Sequence, residues 1–204
     1  MRRWRIDAAP AAADLDEIAA LLRGGGVVLL PTDTIYGLHA LADDEAAIAR
    51  LANVKGRDDG KPFVVVAASI EQLMNAGISF TPDLRTQLDA LWPAPLTAIL
   101  PLSRPVAASR GASSLAVRVP DLVWLRELAN RTGPLASTSA NRSGEAPITT
   151  PDRFEMEIDG VVDRGLFSGE PSTIVDFTGD DPRLLREGNH AFTQNVWKTL
   201  RKTL

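Results

Sequence analysis

Cysteine is absent from the chain, and its absence excludes disulfide bonds and thiolate metal sites. Histidine is scarce: only His39 and His190 are present, and they lie too far apart in sequence to resemble a metal-binding pair. No apolar run approaches the about 18 residues that a membrane-spanning helix needs, so we expect no membrane span. A secretory signal is not expected either, because no long apolar segment follows the basic residues at the start. These features predict a cytoplasmic protein.

An excess of positive charge is also missing. Lys and Arg number 22 against 26 Asp and Glu, giving a formal net charge of −4. This balance argues against a protein that coats nucleic acid by bulk electrostatics, although it is compatible with a local basic cavity. The length of 204 residues suits one core that buries roughly 70% of the surface of the unfolded chain. Since no linker or internal repeat is visible, we predict a single domain over 1–204.

Three common nucleotide and hydrolase signatures are missing as well. The segment from Gly56 to Lys61 is one residue too short for a Walker A loop, and Pro62 stands where Ser or Thr would bind magnesium. No G-x-G-x-x-G follows a strand-like run, and no G-x-S-x-G nucleophile elbow is present. A P-loop enzyme, a dinucleotide-binding fold and a serine hydrolase therefore have no support.

What the chain does contain is a series of short apolar runs separated by helical patterns, followed by a strand-rich last third. Such runs occupy residues 27–30, 63–68 and 135–139. This order predicts an α/β fold with a mixed β-sheet. Helix starts are predicted at Asp14, from a capping box with Glu17, at Thr81-Pro82 and at Thr150-Pro151.

Four polar segments each end or follow an apolar run. They are Pro31–Thr34, Lys55–Arg57, Ser139–Asn141 and Leu184–Arg186. Groups at the carboxyl ends of neighbouring strands can converge on one ligand. Because two guanidiniums and an ammonium are among them, the ligand is expected to carry several negative charges, and a nucleoside triphosphate is the main candidate.

Each segment taken alone also has a plain structural interpretation. Residues 31–37 are typical of a turn held by side-chain hydrogen bonds to the backbone. Lys55 and Arg57 end a helix, where positive charge favours the helix dipole. Residues 139–144 are compatible with a solvated loop, and Arg186 with a surface ion pair to Glu187.

Two further residues are singled out by their setting. Arg118 lies among apolar residues of a predicted strand, and a buried arginine needs an anion, so we interpret it as a carboxylate-binding residue. His39 is interpreted as structural or incidental.

In this order the segments resemble the YrdC/TsaC family, the threonylcarbamoyl-AMP synthases of tRNA modification. The likeness covers residues 24–188. Its motifs are Pro31–Gly37, Lys55–Arg57 with Lys61-Pro62, Ser139–Gly144, Ser172–Asp176 and Leu185–Gly188. The resemblance implies a twisted mixed β-sheet flanked by helices around a deep, positively lined cavity (a YrdC/RibB-like fold).

By the same resemblance, particular residues receive roles. The family's catalytic tetrad, which holds the ATP phosphates, matches Lys55, Arg57, Ser139 and Asn141, and Arg186 resembles a further ATP contact. Thr32, Arg118 and Ser172 match positions on the threonine side. Magnesium is expected to bind mainly through the ATP phosphates, with no metal site of the protein's own.

The implied reaction makes L-threonylcarbamoyladenylate and pyrophosphate from L-threonine, bicarbonate and ATP. Hand-over to a tRNA threonylcarbamoyl transferase complex and weak RNA binding are further expectations. Two alternatives stay open: an RNA-binding module that uses the same cavity, and a nucleotide-binding paralogue without synthase activity. Two departures from the family are expected: the extra C-terminal domain of longer members is expected to be absent, and His39 stands where glycine is frequent.

Overall fold

The computed structural model describes residues 1–56, 60–141 and 145–201. Its strands are β1 (Arg2–Arg5), β2 (Val28–Pro31), β3 (Tyr36–Leu41), β4 (Val64–Val66), β5 (Leu96–Pro101), β6 (Ser114–Arg118), β7 (Leu135–Ser139), β8 (Gly160–Asp163), β9 (Thr173–Asp176) and β10 (Arg183–Arg186). Its helices are α1 (Ala12–Arg23), α2 (Glu45–Lys55), α3 (Ile70–Asn75), α4 (Pro82–Asp89), α5 (Val123–Thr132) and α6 (His190–Arg201). Within these ranges no helix has the length and apolarity to cross a membrane.

All ten strands belong to one mixed sheet. Their order is β1-β8-β2-β3-β7-β4-β6-β5-β9-β10. The β4–β6 and β5–β9 pairs are parallel, whereas β2–β3, β3–β7, β4–β7 and β5–β6 are antiparallel. The predicted α/β fold with a twisted mixed sheet and flanking helices is therefore confirmed.

Helices cover both faces of the sheet, and neighbouring strand residues point to opposite sides. Leu29 packs into the larger core, while Leu30 packs against α1 and α5 on the other face. Both leucines are fully buried, and each such burial stabilises the fold by about 1.5–3 kcal/mol. Continuous apolar runs are thus the natural sequence of strands that are covered on both faces.

The predicted helix starts have mixed outcomes. Thr81 accepts a hydrogen bond from the backbone of Leu84, as expected for the cap of α4. The capping-box prediction is wrong, because α1 already begins at Ala12 and Asp14 lies inside its first turn. The Asp14 carboxylate there interacts favourably with the helix dipole. The helix predicted after Thr150 is a single 3₁₀ turn, Pro151–Arg153.

The turn predicted over 31–37 is shorter than expected. Only residues 32–35 turn, closed by a hydrogen bond from Thr32 N to Ile35 O. Tyr36 then begins β3, which pairs with β2 as a hairpin and with β7 on its other side. This hairpin places the Thr32–Ile35 turn at the edge of a polar depression in the sheet.

Candidate functional site

One face of the sheet is polar over several adjacent strands. In β7, Ser137 and Ser139 alternate with Thr138 and therefore share a face, which β3 continues at Gly37 and His39. A cavity of about 240 Å³, here called the central cavity, lies on this face. It is lined by Thr32, Thr34, Ile35, Gly37, Pro62, Val64, Val66, Thr97, Arg118, Ser137, Thr138, Ser139, Pro171, Ser172 and Arg186. Five of the predicted site residues line it: Thr32, Arg118, Ser139, Ser172 and Arg186.

Lys55 contacts the edge of the central cavity through Ser139. It is the last residue of α2, and Gly56 ends the helix in the left-handed conformation (φ 63°). Lys55 is 7% exposed, and its ammonium donates to the carbonyl oxygens of Ser139 and Asn141, each at 2.7 Å, and to Asn141 Oδ1 at 2.6 Å. The side chain therefore fixes the end of β7 against the end of α2.

The other tetrad residues extend the same network. Ser139 Oγ donates to Asn141 Oδ1 at 2.5 Å, and Asn141 Nδ2 donates to the carbonyl of Glu145 at 2.6 Å. Lys55, Ser139 and Asn141 are thus brought together as predicted. Arg57, the fourth member, lies outside the described residues.

Arg118 is buried in the floor of the cavity and already has an anionic partner. Its Nη2 donates to Asp33 Oδ1 at 2.8 Å and its Nη1 to Thr34 Oγ1 at 3.0 Å. The second Asp33 oxygen accepts from the backbone N–H of Asp121 at 3.0 Å. Burial lowers the pKa of Arg118, whereas Asp33 raises it. These two bonds use two of the five N–H groups of the guanidinium, and Arg118 Nε is buried without a hydrogen-bond partner.

Arg186 faces Arg118 from the opposite side. Its Nε donates to the Ser172 carbonyl at 2.9 Å and its Nη2 to Ser172 Oγ at 3.1 Å, while Ser172 Oγ also bonds Thr97 Oγ1 at 2.8 Å. Burial lowers the pKa of Arg186, and the positive charge of Arg118 lowers it further. The cavity is therefore electropositive although the whole chain is acidic. The plain structural alternative for Arg186 was an ion pair with Glu187. Among the described residues no such pair is observed, and the Glu187 carboxylate contacts His190 instead.

The Thr32 side chain stabilises the Thr32–Ile35 turn. Its hydroxyl accepts from the N–H groups of Thr34 and Ile35 and donates to the Ile35 carbonyl at 2.8 Å. The chain that follows β8 passes close over this turn, because a Cβ on Gly169 would lie 1.8 Å from the Thr34 carbonyl oxygen. The position of this segment is therefore compatible with a structural turn and with a ligand-binding segment. A contact of Thr32 with threonine stays a prediction.

Sequence reasoning missed Ser137, which lines the cavity, and the hydrogen bond between Ser137 and the buried His39. His39 is fully buried; its Nδ1 lies 3.0 Å from the Gly37 carbonyl oxygen and its Nε2 lies 3.1 Å from Ser137 Oγ. The signal for Ser137 was the period of two in β7, which places it on the same face as Ser139. His39 gave no such signal, because its partner is 98 residues away in sequence.

The buried His39 predicts a pH dependence of stability. Burial, and to a lesser degree the charge of Arg118, lower its pKa from 6.5 to about 4 in the folded protein. Below pH 6.5 the His39 side chain binds a proton in the unfolded chain but stays neutral in the folded chain. The free energy of unfolding that this group contributes at neutral pH is therefore lost as the pH falls toward 4. We expect this group to account for about 3 kcal/mol over that interval. Urea unfolding between pH 7 and 4.5 measures it, and a His39→Gln variant with the same slope as the parent would contradict it.

The comparisons with known proteins agree with this geometry. The Sua5/YciO/YrdC family model, described as "Telomere recombination", matches residues 20–188. The threonylcarbamoyl-AMP synthase of Bacillus subtilis is 33% identical over 201 residues, covering 92% of this chain and 58% of its own. That of Vibrio parahaemolyticus is 34% identical over 185 residues, covering 86% of this chain and 99% of its own.

A solved structure is similar over nearly the whole chain. The crystal structure of Pyrococcus abyssi Sua5 complexed with L-threonine has a TM-score of 0.87 at 31% identity, and the match covers 96% of this chain and 61% of that one. The chain thus spans a little over half the length of the Bacillus and Pyrococcus proteins and nearly all of the Vibrio protein. The chain belongs to the Sua5/YciO/YrdC family.

Proposed function

We propose that the protein is a threonylcarbamoyl-AMP synthase, a nucleotidyltransferase that supplies the threonylcarbamoyladenosine modification of tRNA. The observation that carries the proposal is the joining of Lys55, Ser139 and Asn141 beside a cavity with two guanidiniums. Relatives of the same family with this name, and the threonine complex of the Pyrococcus protein, support it. The substrates are L-threonine, bicarbonate and ATP.

Threonine would occupy the central cavity in the first step. Its amine nitrogen forms a bond to the carbon of bicarbonate, water leaves, and a carbamate results. Arg118 lines the cavity and has N–H groups beyond those bonded to Asp33 and Thr34, which suits the threonine carboxylate, and Ser172 lines the same cavity, where it could bond the threonine hydroxyl. A volume of about 240 Å³ fits one amino acid and leaves the nucleotide outside, toward Lys55 and Asn141.

In the second step a carbamate oxygen attacks the α-phosphorus of ATP, and pyrophosphate leaves with the electrons of the broken P–O bond. No protein nucleophile is needed, so positioning and charge stabilisation would supply most of the rate. Arg186 and Arg57 would neutralise the phosphates, with Lys55 holding the Ser139 and Asn141 side chains toward them.

Magnesium would enter with ATP. The described residues contain no group of three His, Cys, Asp or Glu side chains placed to hold a metal ion. Magnesium bound to phosphate oxygens and water needs few protein ligands, and this mode of binding stays a prediction.

The decisive test is pyrophosphate release in the presence of ATP, bicarbonate and an amino acid. We expect release to require threonine and to be strongly reduced with valine, because a site that hydrogen-bonds the threonine hydroxyl loses that bond with valine. Equal release with and without threonine would overturn the proposal.

The remaining expectations are tested separately. An RNA-binding module would bind RNA with a salt-dependent affinity and show no threonine requirement. A paralogue without synthase activity would bind ATP in calorimetry and release no pyrophosphate. Weak RNA binding, hand-over to a transferase complex and a cytoplasmic location stay predictions.

A further inference from the structure

His39 and Ser137 form a pair that the proposed chemistry has not used. They are directly opposite each other in the β3–β7 ladder, so both side chains project to the cavity face of the sheet. His39 lies beneath the floor and is fully buried, whereas Ser137 is partly exposed and lines the central cavity. Ser137 is therefore the member of the pair that a ligand can reach.

The direction of the hydrogen bond between them follows from the backbone. The Gly37 carbonyl oxygen can only accept, so the Nδ1 of His39, 3.0 Å away, must carry a proton. A neutral imidazole has one N–H group, which leaves Nε2 as an acceptor. The Ser137 hydroxyl, 3.1 Å from Nε2, must then donate its proton inward.

A doubly protonated imidazole is disfavoured at this place. His39 is buried in the sheet, and the guanidinium of Arg118 acts on it from the same cavity floor. Burial and that positive charge both hold its pKa well below neutrality. The inward direction of the Ser137 proton is thus stable over the physiological pH range.

We propose that His39 is a positioning residue that turns the Ser137 hydroxyl into a hydrogen-bond acceptor toward the central cavity, where it binds an N–H or ammonium group of the ligand. If the ligand is threonine, the donor is its α-amine; this assignment rests on the proposed function. Arg118 and Arg186 offer only donors to the same cavity. Ser137 therefore supplies the complementary end of a site for a zwitterion.

The spacing suits such a ligand. Ser137 pairs with Val64, and Arg118 pairs with Val66 on the other side of the same strand, β4. The Cα atoms of Ser137 and Arg118 are therefore about 12 Å apart, since neighbouring strands lie about 4.8 Å apart and two residues along a strand add about 6.7 Å. The long Arg118 side chain covers part of this distance, so one small amino acid can direct its ammonium toward Ser137 and its carboxylate toward Arg118.

Two substitutions of His39 separate the two hydrogen bonds. In His39→Gln the amide oxygen can occupy the place of Nε2 and accept from Ser137, although the bond to Gly37 is lost. In His39→Asn the amide can donate to Gly37, but no atom reaches Ser137. Ser137→Ala removes the hydroxyl itself, and Val64→Ala enlarges the same wall without changing a polar group.

The measurement compares calorimetric binding of L-threonine with that of (R)-3-hydroxybutanoate, which is threonine without its amine. We expect the parent to prefer threonine, and His39→Asn and Ser137→Ala to lose about 10-fold or more of that preference, as for a hydrogen bond to a charged group. His39→Gln should keep it. Val64→Ala should change both affinities by the same factor.

Nitrogen-15 NMR of the parent protein supplies a readout that does not depend on the variants or on the ligand. We expect His39 at pH 7 to show a protonated Nδ1 and an unprotonated Nε2. A protonated Nε2, or an unchanged preference in a folded His39→Asn, would overturn the inference. Failure of the parent to bind threonine while Nδ1 is protonated would overturn the proposed function and the ligand assignment, but not the direction of the Ser137 hydroxyl.

Discussion

Replacing Lys55 with alanine should lower the rate of threonylcarbamoyl-AMP formation by about 100-fold or more, the usual cost of removing a preorganised electrostatic contact. The Lys55 ammonium holds the Ser139 and Asn141 carbonyls and the Asn141 amide oxygen in one network. Without it, the Ser139 and Asn141 side chains lose the contact that fixes their orientation. Pyrophosphate release at saturating ATP and threonine measures the effect, together with ATP affinity by calorimetry.

The control is Arg50→Ala on the same helix. Arg50 pairs with Asp159 at the surface, where an ion pair contributes about 0–1 kcal/mol, so activity should stay within about two-fold of the parent. Circular dichroism and urea unfolding show that both variants are folded at the assay temperature. Normal activity in a folded Lys55→Ala protein would mean that the lysine merely ends the helix, which was the plain structural alternative.

The convergence of Lys55, Ser139 and Asn141 was predictable from the sequence, but the way they hold each other was not. Polar residues after apolar runs predict a shared edge of the sheet. Lys55, however, bonds mainly to main-chain carbonyl oxygens. Because every residue has such a carbonyl, the sequence does not indicate which of them Lys55 bonds. The Asp33–Arg118 pair was missed for another reason, since its members are 85 residues apart and the turn had to be placed first.

The success of the fold prediction depended on burial. Strands covered on both faces, such as β2 and β4, are apolar runs and were predicted. Edge strand β1 buries only Trp4 among its four residues, so it gives no apolar signal. Strand β3 was missed because Gly37 and His39, which form the polar face of the site, interrupt its apolar pattern. The residues of β3 on the cavity face are thus the ones that prevented its prediction as a strand.

Replacing Arg118 with leucine should lower the free energy of unfolding by about 3–5 kcal/mol, because the Asp33 carboxylate would stay buried without its counter-ion. The two side chains are 7% and 8% exposed and 2.8 Å apart. Urea unfolding at pH 7 measures the loss. As a control, Arg85→Leu breaks an exposed pair with Glu71 and should cost less than about 1 kcal/mol. A loss of less than about 1 kcal/mol in Arg118→Leu would show that the buried pair contributes little to the free energy of unfolding.

The double variant Asp33→Asn/Arg118→Leu then separates stability from ligand binding. The amide that replaces the Asp33 carboxylate would carry no charge, and its oxygen could still accept from the backbone N–H of Asp121. We therefore expect most of the lost stability to return, since replacing both members of a buried pair is far less costly than removing one. Threonine binding should stay weakened by about 10-fold or more, as the donor for its carboxylate is gone. Parent-like threonine affinity in the stable double variant would limit Arg118 to a structural role and move the carboxylate site to Arg186.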